Sequence, residues 1–196
     1  SGSRGWAERY SDDGAVFLRI GNLTRDSVQL DMSDVQRVDV PDGTEGVRTR
    51  VLQGDVLFSI TADLGSVAVV PSGFPTAYVS QHLALVRLRQ ATVLPEWLAY
   101  MALSAAGRSW FSKQSYGGTK IQLSLDDVRD MPIAVPPVDE QRLVTRRLAL
   151  AIERIESIAR EARDLVRILK ERRSTLISAA VTGQIDVRGH SDAEAA

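Results

Sequence analysis

From Asp139 to Thr182 the sequence keeps one helical pattern without a break, and any fold for the chain has to house it. Pro136-Pro137 blocks continuation from upstream, and Asp139 is placed to accept a bond from a free amide as N-cap. Val138 and Leu143 stand at the two positions of a hydrophobic staple. At the far end, Val181-Thr182-Gly183 supplies a glycine for the left-handed residue that closes a helix. About 43 residues at ~1.5 Å each make a rod of about 65 Å, more than a small domain can cover.

The apolar positions say what would cover it. Leu148, Ile152, Ile155, Ala159, Ala162, Val166, Leu169, Leu176 and Ala180 follow one another at spacings of four and three, with Arg173 the one interruption. This is the a/d rhythm of a coiled coil. The flanking row Ala151, Ile158, Leu165, Arg172 and Ala179 widens the stripe beyond a two-helix seam, while Glu156, Arg163 and Lys170 on the other flank are charged. A stripe of that width belongs to a bundle or coiled coil, and a homodimer through this helix is expected. Pairs such as Glu156 with Arg160 and Arg167 with Glu171 are read as helix support on a solvated face.

Residues 1–138 have a different texture. Short apolar runs at Val16–Ile20, Val51–Ile60, Val67–Val70 and Leu83–Leu88 are bounded by Asp12-Asp13-Gly14, Pro41-Asp42-Gly43 and Pro71-Ser72-Gly73, and are expected to be strands. One helix is expected between Pro95 in its first turn and Gly107 as its stop, with Trp97, Leu98, Met101 and Ala102 inside it. Ser1–Asp13 is taken as a polar loop containing Trp6 and Tyr10, and Ser1-Gly2-Ser3, without an initiator Met, as a processed or excised start. The expected fold class is α+β: a mixed α/β globular domain at 1–138, one long helix at 139–182, and a C-terminal tail at 183–196.

Charge and composition narrow the function classes. The chain has 24 basic and 25 acidic residues, but the helix alone has ten basic and seven acidic. No apolar run approaches the ~18 residues of a membrane span. With no Cys there is neither a disulfide scaffold nor a thiolate metal site, and with no signal peptide in residues 1–15 the expected location is cytoplasmic. His82 and His190 stand isolated, so no metal constellation is expected, and His82 is read as a packing or polar contact. Gly117-Gly118-Thr119-Lys120 has Thr and Lys in the wrong order for a phosphate loop. Asp12-Asp13 and Asp126-Asp127 fit turns and helix starts better than a catalytic pair. No nucleophile elbow and no catalytic centre are found.

What remains is binding chemistry. In the segment from Lys113 to Gln122, Gly117 and Gly118 allow close backbone approach, Ser115, Thr119 and Gln122 can hydrogen-bond, Lys113 and Lys120 can neutralise phosphates, and Tyr116 can stack or wedge. Taken alone the loop fits an exposed turn equally well. Arg48 and Arg50, alternating on the segment before Leu52, either read guanine or face solvent.

Several stretches in order resemble one family. Leu52-Gln53-Gly54-Asp55-Val56-Leu57-Phe58-Ser59, Gly65-Ser66-Val67-Ala68-Val69-Val70 and Tyr78-Val79-Ser80-Gln81-His82 are similar to the target recognition domain of the specificity subunit of type I restriction-modification systems. So are Pro95-Glu96-Trp97-Leu98, Gly117-Gly118-Thr119, Met131-Pro132-Ile133 and Pro136-Pro137-Val138-Asp139-Glu140-Gln141. The end of the helix, Leu176-Ile177-Ser178-Ala179-Ala180-Val181-Thr182-Gly183-Gln184-Ile185-Asp186, resembles the family's closing motif. The likeness extends over about residues 14 to 188.

The resemblance implies a non-catalytic subunit whose globular domain reads half of a split target in double-stranded DNA. Its long helix would serve as spacer and as docking surface for methyltransferase subunits. It also implies no cofactor in this chain: S-adenosylmethionine belongs to the modification subunits, and ATP to a motor nuclease subunit that can join them. The Asn/Asp-Pro-Pro-Tyr/Phe tetrapeptide of an adenine methyltransferase is missing, because Pro136-Pro137 lies between Val135 and Val138. The family's usual subunit holds two recognition domains and two helices, against one of each here. The alternative from another class is a coiled-coil scaffold whose globular domain binds protein.

Overall fold

A computed structural model describes residues 1–40, 43–114 and 122–185. Among them lie seven strands, β1 (Tyr10–Ser11), β2 (Ala15–Leu18), β3 (Gln36–Val38), β4 (Val56–Ser59), β5 (Val67–Val69), β6 (Ala77–Val79) and β7 (Leu83–Val86). The α-helices are α1 (Thr44–Thr49), α2 (Pro95–Leu103), α3 (Ala105–Gln114), α4 (Leu125–Arg129) and α5 (Val138–Val181). Backbone contacts divide the chain into two units, Ser1–Arg147 and Leu148–Ala196. No described helix is long and apolar enough to cross a membrane.

In the first unit the strands form two sheets. One has the order β1-β3-β2-β6, with β2 and β6 parallel and the other pairs antiparallel; the second is antiparallel with the order β5-β4-β7. Alternation along the strands assigns each side chain to a layer. Val56 and Phe58 of β4 pack with Leu98, Ala102, Phe111 and Val128 of the helices, whereas Leu57 joins Val16, Leu18, Val79 and Leu83 between the sheets. Both faces of β4 are therefore covered, which explains why its sequence is a continuous apolar run. The turn at Leu52–Asp55 starts the strand later than the run suggests: Asp55 N–H donates to Leu52 O at 3.0 Å and the Asp55 carboxylate accepts from Leu52 N at 2.7 Å. Ile20 lies in a 3₁₀ turn (Ile20–Asn22), and β7 ends at Val86, before Leu88.

Three other expectations are corrected. Gly107 is not a helix stop. The helix from Pro95 breaks at Ser104, whose hydroxyl accepts from Gly107 N at 3.2 Å and so starts α3. Gly107 lies inside α3, where an added Cβ would stand 2.4 Å from the carbonyl oxygens of Met101 and Ala102. Residues 1–13 are not a polar loop. Trp6, 3% exposed, is sealed against Phe17, Val38 and Tyr78, and Ser3 bridges Ser80 beside β6. Arg48 and Arg50 do not alternate on an extended segment, because residues 44–49 are helical and Arg50 ends that helix.

α5 begins one residue before the expected cap: Pro137 O takes the first bond, from Gln141 N at 3.0 Å, and the Asp139 carboxylate accepts from Arg142 at 2.9 Å. Its first turns are held by Gln141, which is fully buried. The amide oxygen accepts from Leu94 N at 2.9 Å and the amide nitrogen donates to Thr92 O and Pro136 O, each at 2.8 Å. The C-terminus closes as expected. Gly183 has φ 74°, its N–H donates to Ala180 O at 3.2 Å, and Gln184 N–H reaches Ala179 O at 2.8 Å, the Schellman pair of bonds. Along the helix Glu156 and Arg160 approach to 4.0 Å, and Arg167 and Glu171 to 3.2 Å.

Candidate nucleic-acid interface

The residues expected to touch DNA end up in different places. Arg48 turns its guanidinium to the carbonyls of Ser1 and Gly2, 3.5 Å away in the second case, and so clamps the N-terminal segment. Arg50 is exposed, and its carbonyl accepts from Arg87 at 3.3 Å. Lys113 is exposed in the last turn of α3. Ser115, Tyr116, Gly117, Gly118, Thr119 and Lys120 lie outside the described residues. Gln122, where the described chain resumes, forms a β-bridge with Thr61, and the next residue, Leu123, donates from its backbone to Ile60 O at 2.9 Å.

That bridge draws Gln122 into a cavity of about 300 Å³ walled by Arg4, Thr61, Gln81, His82 and Gln122. Backbone pairing places the wall at Thr61, His82 and Gln122. Ser80 N donates to Leu18 O at 2.9 Å, Leu83 N to Ser80 O at 3.0 Å, and Ile60 N to His82 O at 3.0 Å, so the turn between β6 and β7 is tied to both sheets. His82 Nδ1 lies 3.0 Å from Thr61 Oγ1, and His82 Nε2 lies 3.2 Å from the Gln81 amide nitrogen. Because that amide nitrogen donates, the hydrogen-bond network assigns the ring proton to Nδ1, with Thr61 Oγ1 as its acceptor.

A second cavity, of about 410 Å³, shares Gln81 and His82 and adds Trp6, Tyr10, Phe17, Arg19 and Ser80. Tyr10 is 43% exposed, with its ring centroid 6.0 Å from that of Phe17. Among the described residues, Ser80 Oγ and Arg19 Nε are buried without a hydrogen-bond partner. A third cavity, of about 540 Å³, has Arg87, Arg89 and Arg142 in its walls together with Asp55. Asp55, 1% exposed, holds Arg87 through bonds of 2.8 Å from Nε and 2.7 Å from Nη2, and these raise the guanidinium above its ordinary pKa. Among the described residues, no cluster of His, Asp or Glu could hold a metal ion.

Arg4, Thr61 and Gln81 were not singled out by motif or spacing. Gln81 and His82 lie in a stretch that carries the family resemblance, but nothing there separates a wall residue from its neighbours.

Comparison with known proteins accounts for this architecture. The family model for the type I restriction modification DNA specificity domain matches residues 37–163, well over half of the chain. The type I restriction enzyme EcoBI specificity subunit of Escherichia coli is 17% identical over 180 residues, 92% of this chain and 37% of that protein. A solved structure from work on complex assembly and conformational transition of the type I R-M system has a TM-score of 0.68 at 19% identity, over 91% of this chain and 42% of that one. The HsdS subunit from Thermoanaerobacter tengcongensis has a TM-score of 0.58 at 18% identity, over 94% of this chain and 47% of its own. The chain thus spans under half the length of these relatives, and the two structures share its fold. Both sheets from β3 onward, the cavity walls at Thr61, Gln81, His82 and Gln122, and the first part of α5 fall within the matched region, and the chain belongs to the type I restriction modification DNA specificity domain family, whose members recognise DNA without catalysing a reaction.

Proposed function

We propose that the chain is the DNA-reading component of a type I restriction-modification complex, with the first unit recognising one half of a split duplex target and α5 serving as spacer and assembly surface. One observation carries the reading. Leu148, Ile155, Val166, Leu169 and Leu176, five positions of a coiled-coil rhythm, are 39–66% exposed. Leaving that much apolar surface in water is unfavourable by about 25 cal/mol per Å². A second copy of α5, running antiparallel, covers the stripe and puts a recognition domain at each end.

Twofold symmetry then requires a palindromic, interrupted site, because identical domains read identical half-sites in opposite directions. The remaining width of the stripe docks methyltransferase subunits. S-adenosylmethionine is theirs, ATP belongs to a motor nuclease subunit where one joins, and this chain takes neither. The test is selection from a random duplex pool with the full chain, alongside light scattering at micromolar concentration. A dimer retaining duplexes with two inverted half-sites at fixed separation is the expected result; a monomer with its helix intact, or retention without sequence preference, overturns it.

A further inference from the structure

We infer that the cavity walled by Arg4, Thr61, Gln81, His82 and Gln122 is where this chain reads base edges, with Gln81 and Gln122 determining specificity for adenine. The inference rests on the DNA-reading function proposed above and adds the residues that discriminate.

The first argument is chemical. In a chain with 25 acidic residues, no carboxylate stands among the described residues in the walls of this cavity, whereas the cavities of about 410 and 540 Å³ contain Asp34 and Asp55. A wall that is to meet a duplex must not repel phosphate, and the described residues of this one comprise one guanidinium, one imidazole, one hydroxyl and two amides. One guanidinium among the described wall residues is a poor phosphate clamp. Two carboxamides instead match the N6 donor and N7 acceptor that only adenine presents together in the major groove, and a guanidinium matches the two acceptors of guanine. Gln122 is exposed, so its amide is within reach of an entering edge.

The second argument is geometric. Base reading needs side chains held on rigid supports, and the Ser80–His82 turn is tied to three backbone partners while Gln122 is fixed by its bridge to Thr61. His82 acts as a positioning residue: held by Thr61 on one ring nitrogen, it accepts from the Gln81 amide on the other and so orients the amide oxygen. The buried, partnerless Ser80 Oγ and Arg19 Nε line the adjoining cavity that shares Gln81 and His82, so polar capacity continues past the wall.

Glutamate accepts but does not donate, so Gln122→Glu and Gln81→Glu keep shape while exchanging an adenine partner for a cytosine partner. The full chain and each variant are put through selection from the same random duplex pool, with circular dichroism confirming an unchanged fold. The expected result is a preference moved from adenine towards cytosine at one position per half-site, by about tenfold, with all other positions unchanged. A variant retaining the wild-type site with affinity lowered equally for every duplex makes the amides phosphate contacts and overturns the inference, as does unaltered selection. If the wild-type chain itself selects no sequence, the functional reading fails first and this inference goes with it. Gln122→Ala, which removes the amide without adding charge, gives the second reading: relaxed preference at the same position supports the assignment, and unchanged preference rejects it.

Discussion

Gln141 shows how much one side chain can settle. Its amide satisfies a donor and an acceptor 47 and 49 residues away, Leu94 N and Thr92 O, and the carbonyl of Pro136 beside it. Gln141→Ala removes the partner of three part-buried backbone groups and should lower stability by about 1–2 kcal/mol in urea denaturation. A loss below ~0.5 kcal/mol would mean that water replaces the amide. In the sequence Gln141 is one polar residue in the first turn of a helix, and no periodicity marks it as buried. Asp126 and Asp127 were legible because their partners are near: Ser124 and Asp127 cap each other's amides at the start of α4, and Asp126 pairs with Arg129. Asp55 was not, because its partner Arg87 lies on the far side of a sheet pairing.

At the scale of elements, local signals decided best where they repeat. α5 was visible from its caps and its spacing, and its C-terminal bonds at Gly183 are those that the left-handed residue permits. The helix at Pro95 was read too far because a glycine signals a stop only when nothing packs on it; here the close approach of Gly107 to the α2 carbonyls demands the absence of a Cβ, and the polar break is Ser104. For α5 the sharp expectation concerns assembly. Leu169 is 52% exposed in the single chain, so Leu169→Asp should barely change the stability of an isolated helix. If the stripe is sealed by another helix, the buried carboxylate costs several kcal/mol and light scattering should show a monomer with its recognition domain folded. A variant that remains dimeric would move the seam to another face.

For the whole molecule the net charge of −1 leaves no general attraction to DNA, so binding must come from a few placed groups. Lys120, in the loop expected to meet phosphate, is a candidate: if it touches phosphate, Lys120→Ala should weaken binding to all duplexes alike and reduce the slope of log K against log salt by about one unit. An unchanged slope would return the loop to a plain turn. Titration from 50 to 300 mM salt separates the two. Strands β2, β4, β5 and β7 and the long helix could be read from residues alone, because caps, turns and alternation act over a few positions and the chain writes them side by side; β1, β3 and β6 could not, because these two- and three-residue pieces are defined by their pairing partners. The cavity could not. Arg4, Thr61, Gln81, His82 and Gln122 meet because β2 pairs in parallel with β6, β4 with β7, and Thr61 with Gln122. Pairings across such separations are set by which apolar faces fit together, and a one-dimensional pattern does not contain that fit.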